Sequence, residues 1–244
     1  MDTALIVFGR QATVADLPRA LKTPYHRESG RFSPMLRKVT EILQDSTLYP
    51  AGLDQFFEIS PPKLWCIGEP QILKRELLGI ISSRKIAPEL ALTTAKILRQ
   101  LVPLEVTFIS GWHSFLEKEA LNVLLTQQAR VIICLAKSLD KFNPSPEISM
   151  LIDQGRALLL THCSPKARRI SREASLRRNL LVAGAAKVVL SLSAPEGSAS
   201  FGLSRLALNL GRAVFTPVHH INESLLACGS LPATRENIQR VLQR

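Results

Sequence analysis

A chain of 244 residues, 46% hydrophobic, is long enough for one α/β domain of ordinary size plus a modest appendage. Its 31 Lys and Arg against 20 Asp and Glu leave a formal charge of +11, which favours polyanions such as DNA, RNA or acidic membrane surfaces but ranks these partners without naming one. No apolar run approaches the ~20 residues of a membrane span, because the longest candidate, around Leu180 to Ala194, is cut by Lys187. Met1 to Val7 carries Asp2 and has no basic flank, so no signal peptide is expected and the protein should be soluble and cytoplasmic. Cys66, Cys134, Cys163 and Cys228 form no CxxC and each sits in or beside an apolar run, the setting of buried free thiols.

Residues 1–45 are the least patterned and form a basic extension. Leu5 to Phe8 fits a short strand; Arg10, Arg19, Lys22, Arg27, Arg31, Arg37 and Lys38 follow with few acids. A solvated arm is the plain reading and a DNA-contacting arm the sharper one. From about residue 78 strands and helices alternate. Leu78 to Ile81 is an apolar run suited to a strand buried on both faces. A helix carries Leu90, Thr94, Ile97, Leu98 and Leu101 on one side, and Pro103 stops it. The next strand is expected over 104–109, a helix over 114–127, and a strand over 131–135. Ser145 can cap a short helix that Gly155 ends. A strand follows at 157–160, a long basic helix at 171–186, a strand at 187–192, a helix at 202–210 with Gly211 as its C-cap, and a strand at 213–216. Residues 222–228 and 234–243 read as closing helices. This alternation predicts an α/β fold, a mostly parallel sheet with helices on both faces. Ligands of such sheets bind beyond the carboxyl ends of the strands. The loops to watch are therefore 82–86, 110–113, 136–146, 161–171, 193–201 and 217–222.

Several of these loops carry chemistry. Ser83-Arg84-Lys85 joins a guanidinium to the amides of a helix start, which suits a phosphate; a structural ion pair is the plain alternative. Residues 166–187 hold Lys166, Arg168, Arg169, Arg172, Arg177, Arg178 and Lys187 against Glu173 alone. On a helix Arg168 and Arg172 share a face while Arg177 and Arg178 point elsewhere, so phosphate contacts would come from a loop and a helix start together. A solvated cationic face is the alternative. Trp112, beside His113, could stack on a base or simply cover the end of the sheet. Ser198 and Ser200 could donate to an anion or cap the helix that follows. His162-Cys163 and His219-His220 are pairs without a second cluster at zinc-like spacing, so no metal is expected. Neither Gly-x-Ser-x-Gly, nor a phosphate-loop Gly-Lys-Ser/Thr, nor Gly-x-Gly-x-x-Gly occurs, and no nucleophile, base and orienting acid can be assigned. No catalysis and no cofactor are expected.

Taken together, a series of segments resembles the DprA/Smf DNA-processing family. Tyr49-Pro50, Leu53, Pro61-Pro62, Leu64 and Gly68 repeat its lead-in. Ile80-Ile81-Ser82-Ser83-Arg84 stands where the family has an apolar pair and Gly-Ser-Arg, and Ile109-Ser110-Gly111 matches its Ser-Gly turn. Arg178-Asn179 with Val182-Ala183-Gly184 resembles its Arg-Asn-Arg-x-Ile-Ala-Gly helix. Ser198 and Ser200 fall near its Ser-Gly-Ser, continued by Leu206-Ala207-Leu208, Gly211-Arg212 and Val214-Phe215. Asn222, Leu225, Leu226 and Gly229 resemble its Asn-x-Leu-Ile-x-x-Gly. The resemblance covers roughly 46–232, leaving 233–244 as a C-terminal helix. It implies a Rossmann-like domain of the wider SLOG group that binds single-stranded DNA, forms a homodimer, and helps load a RecA-type recombinase during transformation.

The departures fall in the pocket. Ser82 replaces a family glycine, Trp112-His113-Ser114 stand for a Gly-Ile-Asp element, Leu180 replaces the second arginine, and Ala199 replaces the glycine between the serines. The acid usual near the fifth strand's end is absent, with Ser191 and Ser193 nearby, and neither the family's N-terminal helical region nor its C-terminal winged helix is evident. The resemblance, together with the basic segments, thus leads to an expectation of single-stranded DNA binding with phosphates on Ser83, Arg84, Lys85, Ser110, Gly111, Arg168, Arg169, Arg172, Arg177, Arg178, Asn179, Ser198 and Ser200. Two alternatives stay open: a nucleotide-ligand binding protein, and an interaction scaffold without a ligand pocket.

Overall fold

A computed structural model of the chain describes residues 38–57, 60–85, 87–165, 167 and 171–243. The strand expected at Leu5 to Phe8, most of the basic extension, and Lys166, Arg168 and Arg169 lie outside the described residues. Nine strands form one sheet: β1 (Thr40–Ile42), β2 (Leu64–Gly68), β3 (Leu77–Ile81), β4 (Thr107–Ser110), β5 (Arg130–Leu135), β6 (Ala157–Thr161), β7 (Val188–Ser191), β8 (Ala213–Thr216) and β9 (Leu231–Pro232). Their order is β1-β2-β6-β5-β4-β3-β7-β8-β9. From β6 to β9 every pairing is parallel; β2 runs antiparallel to both β1 and β6.

The helices follow from the pattern of apolar residues and caps. They are α1 (Leu90–Leu101), α2 (Phe115–Thr126), α3 (Pro146–Asp153), α4 (Arg172–Ala185), α5 (Ala199–Asn209), α6 (Glu223–Ala227) and α7 (Arg235–Leu242). Ser114, Ser145, Ser171, Ser198 and Thr234 each accept a backbone N–H at the start of the helix they precede. Such caps satisfy donors that the first turn otherwise leaves orphaned.

Alternation along each strand sends neighbouring side chains to opposite faces. Leu78, Ile80, Phe108, Val131, Ile133 and Leu190 pack in one core with α1, α2, α3 and α7. Leu77, Ile81, Ile109, Ile132, Leu158 and Val189 pack in the other with α4, α5, α6 and the 40–73 segment. Two glycines allow α4 to lie close. A Cβ on Gly79 would stand 2.9 Å from the Ala186 Cβ, and one on Gly184 would stand 2.7 Å from Leu53 Cδ1. The Leu53 of the lead-in and the Gly184 of the helix motif are thus two halves of one contact.

The six core strands fall where the sequence places them, with shifted ends. The strand expected from 104 starts at Thr107, because Val102–Leu104 form a 3-10 turn and Glu105 takes a left-handed φ of 56°. Helix α5 begins three residues before the expected 202, at the point where Ser198 caps it. β1, β2 and β9 are additions. β1 pairs with β2, so Thr40–Ile42, assigned from sequence to the extension, are part of the sheet. The C-terminal helix is no appendage either, since Ile238 of α7 is fully buried in the core beside α1.

The chain steps outward from β3 through β4, β5 and β6, then returns to place β7 on the other side of β3. That reversal opens a crevice beyond the carboxyl end of β3, the switch point where doubly wound sheets take ligands. Among the described residues no helix is long and apolar enough to cross a membrane.

Candidate functional site

A cavity of about 630 Å³ occupies that crevice. Its walls are the end of β3, the segments after β3 and β4, Glu117 of the helix that follows β4, the first three turns of α4 and the start of α5. Seven residues singled out from the sequence line it: Ser83, Arg84, Ser110, Gly111, Arg172, Asn179 and Ser200. Arg84 and Arg172 are exposed, and neither has a hydrogen bond or ion pair among the described residues. Arg172 opens α4, where the positive end of the helix dipole disfavours a cation. Two guanidiniums without a partner among the described residues give the rim of this cavity the kind of positive charge that suits a phosphate.

Beneath the rim lies a buried polar network that the sequence reading did not contain. Glu117, 3% exposed, accepts from Ser82 N–H (3.0 Å), His113 N–H (2.9 Å) and Ser114 N–H (3.2 Å), and its Oε2 lies 3.0 Å from His113 Nδ1. One carboxylate therefore ties the loop after β3 to the loop after β4. Burial works to raise the Glu117 pKa, but the bonds and charge of His113, with the backbone donor of Ser114, outweigh it and hold the carboxyl below its ordinary value. Arg178 continues the network: its guanidinium lies 3.1 Å from His113 Nε2 and donates to Asn179 Oδ1 at 2.8 and 3.1 Å. The signal for Glu117 was present as Ser114-x-x-Glu117, a capping box at the start of α2.

This arrangement sorts the expected contacts. Arg178 is 6% exposed and bonded inside through Nε and Nη2; it buttresses the turn at Gly111, where a Cβ would stand 2.8 Å from its guanidinium carbon. Burial pulls its pKa down, Glu117 and Cys134 pull it back, and Arg84 is near enough to add to the lowering. Arg178 is not among the residues that line the cavity. Arg177 points away, its guanidinium 5.3 Å from the Phe57 ring centre. Ser198 caps α5 by accepting from Phe201 N–H at 3.1 Å, and Ser200 donates to Ser193 O at 2.9 Å, so both hydroxyls hold the turn. Ser83 Oγ accepts from Lys85 N–H at 3.1 Å and shapes its own loop; Lys85 is exposed beside the cavity without lining it.

Trp112 does not serve as a stacking platform. It is 7% exposed within the core, and its indole N–H donates to Ile132 O at 3.0 Å. Its φ of 53° is left-handed backbone, which a bulky side chain rarely adopts. It stands where the resemblance has glycine, so burial and the indole bond offset a backbone strain of roughly 1–3 kcal/mol. Asn222, another motif residue, is wholly buried and joins loops instead of lining the cavity: it accepts from Ala194 N–H (2.9 Å) and donates to Leu192 O (3.2 Å) and Pro217 O (3.1 Å).

A doubly wound sheet with a cation-rimmed cavity at its switch point defines a Rossmann-like binding domain. The chain belongs to the DNA recombination-mediator protein A family, whose model matches residues 40–239. Among solved structures it is similar to DNA processing protein A from Streptococcus pneumoniae, at 21% identity and a TM-score of 0.71 over 83% of this chain and 74% of that one. It is also similar to DNA processing protein A from Helicobacter pylori, a structure described for its single-stranded DNA binding mode. There the identity is 22% and the TM-score 0.67, over 85% of this chain and 97% of that one. None of the curated proteins matches the chain.

Proposed function

We propose that the chain binds single-stranded DNA at this cavity, with Arg84 and Arg172 on phosphates and the amides at the start of α5 completing the anion site. The observation that carries the reading is the pair of unpaired arginines on the rim, in a family of recombination mediators. Ser82 in place of glycine does not close the loop, because its amide turns inward to Glu117. The protein acts by binding and not by catalysis, in the cytoplasm, as a homodimer that passes DNA to a RecA-type recombinase. Each phosphate contact releases counterions, so affinity falls with salt. Fluorescence anisotropy with oligo-dT and a duplex of equal length, at two salt concentrations, tests this. The single strand is expected to bind tighter, and Arg84→Glu with Arg172→Glu to remove most of the affinity. Equal affinity for the duplex, or full affinity in the double variant, overturns it.

A second reading rests on the cavity itself. About 630 Å³ lies within the range of small-molecule sites, roughly 300–1,000 Å³, so a free nucleotide is the rival ligand. Thermal-shift titration with nucleoside phosphates separates the two: stabilisation by mononucleotides without oligonucleotide binding favours the rival, and response to neither favours an interaction scaffold.

A further inference from the structure

The His219-His220 pair, isolated in the sequence, gains a third ligand in the fold. Glu89, His219 and His220 each offer one donor atom, and these atoms lie within 4.8 Å of one another. Among the described residues no other group of three His, Cys, Asp or Glu is so placed. Glu89 precedes α1 and makes no side-chain cap bond there. Neither its side chain nor that of His220 has a hydrogen bond or ion pair among the described residues. The two imidazole rings stand 4.2 Å apart, centre to centre. A glutamate at a helix start is favoured by the dipole alone, but that preference does not bring two imidazoles from another loop to meet it.

We propose that Glu89, His219 and His220 bind a divalent transition-metal ion of the zinc class, tying the loop after β3 to the loop after β8. Two imidazole nitrogens and a carboxylate oxygen are a donor set zinc accepts, and three protein ligands leave a position for water. Magnesium and calcium take oxygen donors and are poorly served by two imidazoles. Zinc bonds of about 2.0–2.2 Å draw the donors closer together, a closure that the exposed Glu89 and His220 can make by changing rotamer. The competing interaction is the Ile221 N–H that His219 Nδ1 accepts at a long 3.3 Å. Coordination at either ring nitrogen displaces it, by occupying Nδ1 or by moving the ring proton there. The ion would fix the far end of the segment that carries Ser82, Ser83 and Arg84. The site itself requires no nucleic acid, so it stands or falls separately from the DNA reading.

Isothermal titration calorimetry of the tag-free chain with zinc chloride tests the proposal. One equivalent is expected to bind at micromolar affinity or tighter, with no heat from magnesium. His220→Ala is the variant least able to disturb the fold, since that ring makes no hydrogen bond. It and Glu89→Gln should each weaken binding by at least the ~10–100-fold that loss of an outer-shell partner alone costs. Cys228→Ser, which removes an exposed thiol, should leave binding unchanged. Absence of zinc binding, undiminished binding in both ligand variants, or loss in Cys228→Ser overturns the assignment.

Discussion

Arg172 and Arg178 lie on the same helix, less than two turns apart, and the fold uses them in opposite ways. Arg172 is exposed at the position where the helix dipole least favours a cation, and it has no partner among the described residues. Arg178 is buried, bonded to Asn179 and His113, and shares its surroundings with Glu117. The contrast separates a cation that folding explains from one that it does not. The first holds the cavity's shape; the second, with Arg84, gives the cavity its charge. Family resemblance alone would have ranked Arg178 first among the phosphate contacts.

The contrast breaks most visibly if the buried side is cut. Glu117→Ala leaves three amides of two loops unpaired and removes the nearest counter-charge of Arg178. Removing one partner of such a buried pair typically costs about 3–5 kcal/mol. Urea unfolding followed by tryptophan fluorescence, with Trp112 beside the network, should show a loss of that size. A loss below about 1 kcal/mol, the scale of an ordinary hydrogen bond, would mean that the network does not hold the loops.

A smaller effect is expected with pH. Burial lowers the His162 pKa to about 4 from 6.5, aided by the nearby Arg177 and Arg178 charges. The folded state then keeps His162 neutral while the unfolded chain takes up a proton below 6.5. Stability therefore falls as pH drops from about 6.5 toward about 4. At ~1.4 kcal/mol per pKa unit the loss is at most about 3.5 kcal/mol. The depressed Glu117 carboxyl adds its own loss only at lower pH, below its ordinary 4.5. Unfolding midpoints at pH 7.5 and pH 5 should differ in the wild type, and His162→Asn should narrow the gap. An unchanged gap would show that His162 is not the group responsible.

The smallest change in stability, and the sharpest test of the contrast, is at the rim. Arg172→Ala should alter stability by no more than ~0.5 kcal/mol. It should also lower the salt dependence of single-strand binding, by about 0.7 in the log–log slope for one lost phosphate contact. An unaltered slope would place Arg172 with the solvated surface.

The six core strands and their helices were legible because each buries a face at a fixed period, and because serines and glycines mark the ends. β1 and β9 were not, since two or three residues carry no period. β2 was hidden because Leu64 to Gly68, outside the βα alternation, reads as lead-in. Ser83, Arg84, Ser110, Gly111, Arg172, Asn179 and Ser200 were found as cavity residues because they follow strands or start helices at the ligand edge. His113 was noted only as the neighbour of Trp112, and Glu117 looked like one more helix acid. Their role depends on the approach of β3 to β4, which no local spacing encodes.

Alternation, charge and motif order in the sequence determined the class of fold, the edge at which a ligand would sit, and the family. These are properties of short segments and of their succession along the chain. Burial, by contrast, belongs to the folded whole. Only the tertiary structure decided that Arg178 is inside and Arg172 outside, that Trp112 closes the core and not a base stack, and that Glu89 meets His219 and His220. In each case the deciding neighbour lies far away in sequence, and packing determines whether a charge or ring is desolvated and paired or left facing the ligand.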